Sequence, residues 1–557
     1  MAILMAYIGK SVQLYFHTLR YLKLRQVIWQ LIYLLGSSLY GYKNRRKFQA
    51  NIKTIELDIS FLEKTSCVTR DGFLKKLGLR YSINEKKDWD DPQRYFLWRY
   101  NLHYFDYINS NKTILDPEKI ILIKRWIAEH CRGIGWDPYP TSLRIVNWIK
   151  FDLEKKHLDL EIKNSLYLQV LHLEKNIEWH IDANHLFTNA KALLFASVYF
   201  NCSEERERWL KVARKILLEV KSEHFFSDGG HFERSPMYQL IVLEDILDII
   251  NLLKAAGRVS DPIFTDYYYL AEKCLFWANS MSCGSIDFPL FGDSAMGIAP
   301  ALGDLVSYAK KNDVNLEPCS KFLHESGFFN VELDNRVNVF GSIGDISPSY
   351  QPGHAHADIQ SFEVYAGGFC LISDSGVPTY AVSAERVRTR GSSAHNVVTI
   401  NNKNSSEVWS SFRVARRAKK QRSLMSSDEK ECRVISEIVP YAFPRLVQKR
   451  EWLFLNHSSK FLINDYLDGL SVGDEIRFIL HAGPGLSWVL NDHYAHIFQE
   501  FRVLARIKLC PSFNYDIEKS NVYREFNAPQ EVDVLVARIN AVKTGRLNFS
   551  HEFEIYG

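Results

Sequence analysis

Two histidines and an aspartate recur at every second position in Gly353-His354-Ala355-His356-Ala357-Asp358. The residues that follow, Ile359 to Asp374, read as two strands joined at Gly367-Gly368. Side chains on a strand alternate faces, so the spacing predicts His354, His356 and Asp358 on a common side. Buried polar groups need partners, which makes such a row poor core material. It suits a set of metal ligands or a proton-transfer site, and a solvated strand face is the other reading.

Three further stretches carry chemistry. Ser392-Ser393-Ala394-His395-Asn396 supplies another imidazole, and His356, Asp374 and His395 together make a set that suits zinc, with His354 beside the metal. Long intervals between ligands are unspecific by themselves. Asp182-Ala183-Asn184-His185 precedes a helical run; Asn184 reads as its N-cap, and an amide at a helix mouth also donates well to a substrate carboxylate. In the run from Asp228 to Tyr238, two glycines permit an unusual backbone path, Ser235 caps a helix and Pro236 starts it. Tyr238 then falls in the first turn, where the helix field and a neighbouring Arg234 would favour phenolate and suit an acid or base. A tyrosine there also simply packs. Tyr104, Trp136, Tyr139 and Arg144 lie in aromatic stretches with interleaved polar groups, which suit a sugar-binding cleft as well as a core.

These residues need elements to hold them. Apolar residues recur at helical spacing from about Lys119 to Phe322, as in Leu143–Phe151, Ile162–His180, Leu186–Tyr199, Glu204–Val220, Pro236–Ala256 and Pro262–Met281. From about Ser326 the rhythm shifts to short alternating runs that read as antiparallel strands. Helices followed by strands argue for two domains, 91–322 and 323–557, behind a less legible helical or accessory segment, 1–90. The chain has 557 residues, 46% hydrophobic and 24% charged, and a formal net charge of +4. That excludes disordered and collagen-like classes and gives no case for nucleic acid. The nine cysteines form no C-x-x-C pair and read as small buried hydrophobes in a reducing compartment. No apolar run reaches the roughly 20 residues of a membrane span, and the first residues lack a secretory pattern. A cytoplasmic protein is expected, with the amphipathic Lys10–Leu35 segment docked or touching a membrane surface.

Taken together, Ala183-Asn184-His185, the DGGHFERSPMY run, GHAHAD at 353–358 and Ala394-His395-Asn396 resemble the heparinase II/III family of polysaccharide lyases. The resemblance spans roughly residues 90–480. It implies an incomplete (α/α) toroid followed by an antiparallel β-sandwich, with the active cleft between them. It further implies carboxylate neutralisation by Asn184, with His185 or Arg234, proton transfer by Tyr238 and His354, and a structural zinc on His356, Asp374 and His395. The implied reaction removes the C5 proton of a uronate and expels the C4 oxygen. The implied partner is an acidic polysaccharide, such as a capsule or surface antigen. A uronyl C5-epimerase would need the same first step, and a non-catalytic glycan-binding protein would not need the Asn, Tyr and His set. A glycoside hydrolase would need paired carboxylates, and Glu233, Asp287 and Asp293 show no such pairing.

Overall fold

The computed structural model describes residues 12–36, 52–65, 67–110, 114–284, 286–334 and 337–556. Helices dominate up to Lys311 and antiparallel strands from Phe322 onward, where the hydrophobic period changes. Pro138–Lys155, Leu160–Lys175, Ala183–Tyr199, Ser203–Glu223, Pro236–Ala255, Pro262–Ser280 and Leu302–Lys311 pack against their neighbours in an incomplete toroid. Pro236–Ala255 shows how local rules set one of them. The Ser235 hydroxyl accepts the Tyr238 N–H at 3.3 Å, Pro236 takes the first turn, and Gly257 follows the end at φ +68°. Leu240, Leu243, Ile249, Leu252 and Leu253, which point in different directions around the helix, are all buried, so this helix is apolar on most sides and central. Truncating one of them to alanine would cost about 2–5 kcal/mol.

The expected accessory segment divides in two. Val68, Leu74, Ile83 and Trp89 belong to the helical core, and a short hairpin, Phe73–Lys76 with Leu79–Ser82, sits among them. Strands of four residues are too short to print a period in the sequence. Only the helical residues 12–36 lie outside that core among the described residues of this segment.

The second half contains an eight-stranded antiparallel sheet running from Lys419–Ser427 to Ser487–Leu490, a four-stranded sheet and a five-stranded sheet. A bridge between Ile372 and Ala482 links the last two. Phe362, Trp452, Phe461, Phe478 and Leu535, drawn from all three sheets, share one core, as a sandwich requires. Alternation is clean where one face is covered: Glu431–Val439 alternates half-buried and buried along its length.

The segment 353–358 corrects one expectation. It is a loop, and pairing starts at Ser361, where Ser361–Ala366 joins Phe369–Ile372 through Gly367 (φ +57°) and Gly368 (φ +83°). Its backbone is engaged elsewhere. The Ala357 N–H donates to Arg390 O at 2.9 Å, Ala355 O accepts from the Arg390 side chain at 2.9 Å, and Ala357 O accepts from Ser392 Oγ at 2.7 Å.

Candidate active site

The loop brings His354 against Tyr238, across the seam between the halves. Their rings stack with centres 4.1 Å apart at 28°. His354 Nδ1 lies 2.9 Å from Asp293 Oδ2. An ionised carboxylate only accepts, so Nδ1 carries a proton, and in the neutral ring the lone pair is on Nε2. Asp293 also takes His356 Nε2 at 2.8 Å and Arg386 Nη2 at 2.7 Å. Burial opposes charge on Asp293, but Arg386 and the two histidine hydrogen bonds outweigh it and hold the carboxyl well below its usual range. Strand alternation therefore did not align the two histidines; a shared carboxylate did. Asp358 instead accepts the Gly292 N–H at 3.1 Å, and burial pushes its carboxyl up to about 6.

The Tyr238 hydroxyl is 3.1 Å from that of Tyr380. Burial, reinforced by Tyr380 and Tyr139, raises its pKa well above 10. The expectation that the helix start would favour phenolate is not met: burial and the neighbouring phenols favour the neutral form. Arg234 supplies no cation there either. At φ +51°, it turns its guanidinium to the backbone carbonyls of Asp345 and Glu325 in the sheet half, the latter at 3.2 Å. Glu233 is buried, and its Oε1 lies 4.0 Å from His354 Nε2; burial raises its carboxyl.

Asn184 is the second residue of its helix, and Asp182 is the cap, its carboxylate accepting the Ala183 N–H at 2.9 Å. The expected cap is displaced by two residues because Asp182 (φ +66°) and Ala183 (φ +53°) both take left-handed backbone. Arg25 holds Asp182 Oδ2 at 2.9 Å and His224 lies 3.3 Å from Oδ1. Asn184 is 7% exposed, and its side-chain amide hydrogen-bonds to no side chain or backbone group among the described residues. Next to it, His185 bonds Glu178 at 3.0 Å and stacks on Tyr139 at 4.2 Å. Tyr139 in turn meets Tyr104 edge-on at 5.8 Å. His185, Tyr139 and Tyr104 thus form one run of rings on the helical half, with Asn184 next to it in sequence and Tyr238 close enough to Tyr139 and Tyr104 to feel their charge.

Trp136 and Arg144 do not join it. Arg144 is fully buried and lies over the Trp126 ring at 3.9 Å; it donates to Gln169 Oε1 at 2.7 Å and Gly135 O at 2.8 Å. Trp136 donates to His130 O at 2.9 Å and packs on Trp126. Both serve the toroid core. Conversely, Tyr380 and Arg386 carried no sequence signal, and Asp293 was weighed only as a glycosidase carboxylate. A carboxylate directly after Phe291-Gly292, in an apolar stretch, was the one available cue.

The expected zinc ligands lie together and are buried: the His356 and His395 rings are 5.4 Å apart, and His395 Nδ1 is 2.8 Å from Asp374 Oδ2. Burial opposes charge on Asp374, but His395 outweighs it and keeps the carboxyl low. His356 Nδ1 and His395 Nε2 are buried without hydrogen-bond partners. Orphaned imidazole nitrogens beside a carboxylate are a donor set that fits zinc. In this arrangement no three such groups among the described residues converge as ligands.

An incomplete helical toroid, a β-sandwich and a tyrosine–histidine pair at their seam define the class of protein. Models of the two family regions match it in order: Heparinase II/III N-terminus over residues 73–310 and Heparinase II/III-like, C-terminal over residues 315–548. The chain belongs to the heparinase II/III-like family. It is 23% identical over 363 residues to a heparin-sulfate lyase of Pedobacter heparinus, covering 61% of this chain and 51% of that protein. It is 25% identical over 242 residues to a heparin-sulfate lyase of Bacteroides stercoris, covering 40% of this chain and 36% of that one. The chain thus spans about half the length of the first relative and just over a third of the second. A solved heparinase III shares the fold with a TM-score of 0.68 at 16% identity, over 94% of this chain and 89% of its own. A heparan sulfate lyase structure from Pedobacter heparinus gives 0.61 at 17%, over 87% and 81%.

Proposed function

We propose that this protein is a polysaccharide lyase that cleaves a uronate-containing acidic glycan by β-elimination. One observation carries the reading: a phenol of the helical half lies face to face, at 4.1 Å, with an imidazole whose Nδ1 is held by a charged, buried carboxylate. The uncommitted amide of Asn184, at a positive helix end, suits a sugar carboxylate and would damp its charge, which acidifies the neighbouring C5–H. His354 Nε2, lone pair outward, takes that proton; Asp293 stabilises the imidazolium that results. The electron pair left at C5 forms the C4–C5 double bond as the C4–O bond breaks. Tyr238, protonated in the resting site, donates to the departing oxygen. The names of the two relatives support a glycosaminoglycan-like substrate, and a surface or capsular polymer of the producing cell is the first candidate.

Zinc held by His356, Asp374 and His395 is part of the proposal. Bound there, it would supply a fixed positive centre that anchors the loop carrying His354. Metal analysis of the purified protein should find about one zinc per chain by the ligand count. Chelation or His395→Ala should lower the Tm; a metal-free protein indifferent to both sinks the assignment.

The test of function is incubation with a panel of uronate glycans. Ultraviolet absorbance from a new C4–C5 double bond, lost in Tyr238→Phe, supports elimination. Solvent deuterium entering C5 without absorbance would make the protein an epimerase, and binding with neither signal would make it a glycan-binding protein.

A further inference from the structure

Outside the cleft, one surface stands apart. Exposed large hydrophobic side chains concentrate between Val12 and Leu34, among them Phe16 (64%), Leu24 (74%), Leu31 (55%) and Leu34 (61%). The helix Leu24–Gly36 has two distinct faces. Gln26 is buried, Trp29 lies 6.3 Å from Trp179, and Tyr33 stacks on His180 at 4.7 Å, so this face docks on the toroid. Leu24, Ile28 and Leu31, at helical spacing on the opposite face, point to solvent. An apolar stripe facing outward reverses the usual polarity of a surface helix.

Charge identifies what covers it. Residues 1–50 contain eight Lys and Arg and no Asp or Glu, whereas the whole chain has a net charge of only +4, so the remainder carries −4. The stretch that bears the stripe is therefore strongly cationic, and Arg413–Arg422, with six Lys and Arg and no Asp or Glu, is a second such stretch. A second copy of this chain seated on the same face would bring two such cationic stretches together; an anionic bilayer would attract one. Among the described residues no helix is long and apolar enough to cross a membrane.

We propose that the helical segment 12–36 is an interfacial anchor that seats the protein on an anionic lipid bilayer. The stripe enters the boundary between headgroups and acyl chains, and the basic residues not engaged in ion pairs with the protein, Arg20 among them, meet the lipid phosphates. The anchor is clamped to both halves of the molecule. Arg25 pairs with Asp182 at 2.9 Å and Lys23 lies over the Tyr350 ring at 3.8 Å. Trp409 donates to Thr18 Oγ1 at 3.1 Å, and Arg417 lies over the Tyr21 ring at 3.9 Å. Because Asp182 caps the helix that presents Asn184, the cleft is held beside the membrane.

The test uses the full-length protein with sedimentable vesicles of phosphatidylcholine alone or mixed with phosphatidylglycerol. Pelleting with the mixed vesicles, falling as salt rises, is the expected result. Leu24→Glu/Leu31→Glu should weaken it at least about tenfold while the Tm stays at the wild-type value. The milder Leu24→Ser/Leu31→Ser serves if the charged pair does not fold. Absence of pelleting with anionic vesicles, or undiminished pelleting of both variants, overturns the anchor. A vesicle-free dimer that these substitutions dissolve also overturns it, since a second copy would then own the face. So does a stripe in the free monomer that is shielded from apolar dye binding, since another part of this chain would then cover it.

Discussion

The Asp293 carboxylate is fully committed, whereas around Asn184 hydrogen-bonding capacity is left over. At the seam, Asp293 of the helical half takes His354 Nδ1, His356 Nε2 and Arg386 at once, and Arg386 also donates to Ser411 O at 2.9 Å. On the helical side, the Asn184 amide is unspent, and the backbone just before it is held in left-handed conformations by ion pairs. A carboxylate with all its capacity taken fixes a neighbouring imidazole in one tautomer; an unsaturated helix mouth keeps capacity for a ligand. On the proposed function, the contrast separates chemistry from recognition.

Substitutions can break or sharpen that division. The largest effect should come from Tyr238→Phe or His354→Ala, each lowering kcat by about 10²–10⁴-fold with little change in Tm. Retention of kcat within tenfold would remove the pair from proton transfer. Asp293→Asn comes next and strikes twice. It loosens the tautomer of His354, cutting kcat about 10²-fold or more, and it leaves Arg386 buried without a counter-charge, costing about 3–5 kcal/mol in urea unfolding. Asn184→Ala should lower kcat/KM by about 10²-fold with the Tm unmoved, because no internal partner is lost. A fall in its Tm comparable to that of Asp293→Asn would erase the distinction between the two groups.

The smallest effect concerns pH. Burial, with the charge of Glu178 adding and a hydrogen bond from Tyr100 opposing, raises the Asp137 carboxyl to about 6. The folded chain then binds this proton more tightly than the unfolded chain, whose aspartates titrate near about 4. Asp137 should therefore contribute about 1–2 kcal/mol more to stability at pH 4 than at pH 7, and Asp137→Asn should remove that contribution from the pH dependence of unfolding. An unchanged slope would place the titration elsewhere.

Much of this architecture was legible because it is local or periodic. The change from helical to alternating spacing marked the two halves, and Ser235-Pro236 announced the helix that carries Tyr238. What escaped depended on contacts between distant segments. Asp293 meets His354 across 61 residues and Tyr380 meets Tyr238 across 142, separations on which no spacing rule operates. Arg144 misled for a different reason: a guanidinium among aromatic rings has the same composition in a sugar cleft and in a core. At 353–358 the convergence of the histidines was anticipated and its cause was not, since a loop held by Arg390 and Ser392 replaced the strand.

Arg234 has a mechanical consequence. Its guanidinium grips the carbonyls of Glu325 and Asp345 from a position four residues ahead of Tyr238, and a Cβ on Gly344 would come within 2.9 Å of it. That grip opposes the two halves swinging apart as a jaw, by about 1.5–3 kcal/mol for each charge-assisted hydrogen bond. On the proposed function, a passage braced in this way would make the girth of an incoming glycan, with whatever side branches it bears, a determinant of entry.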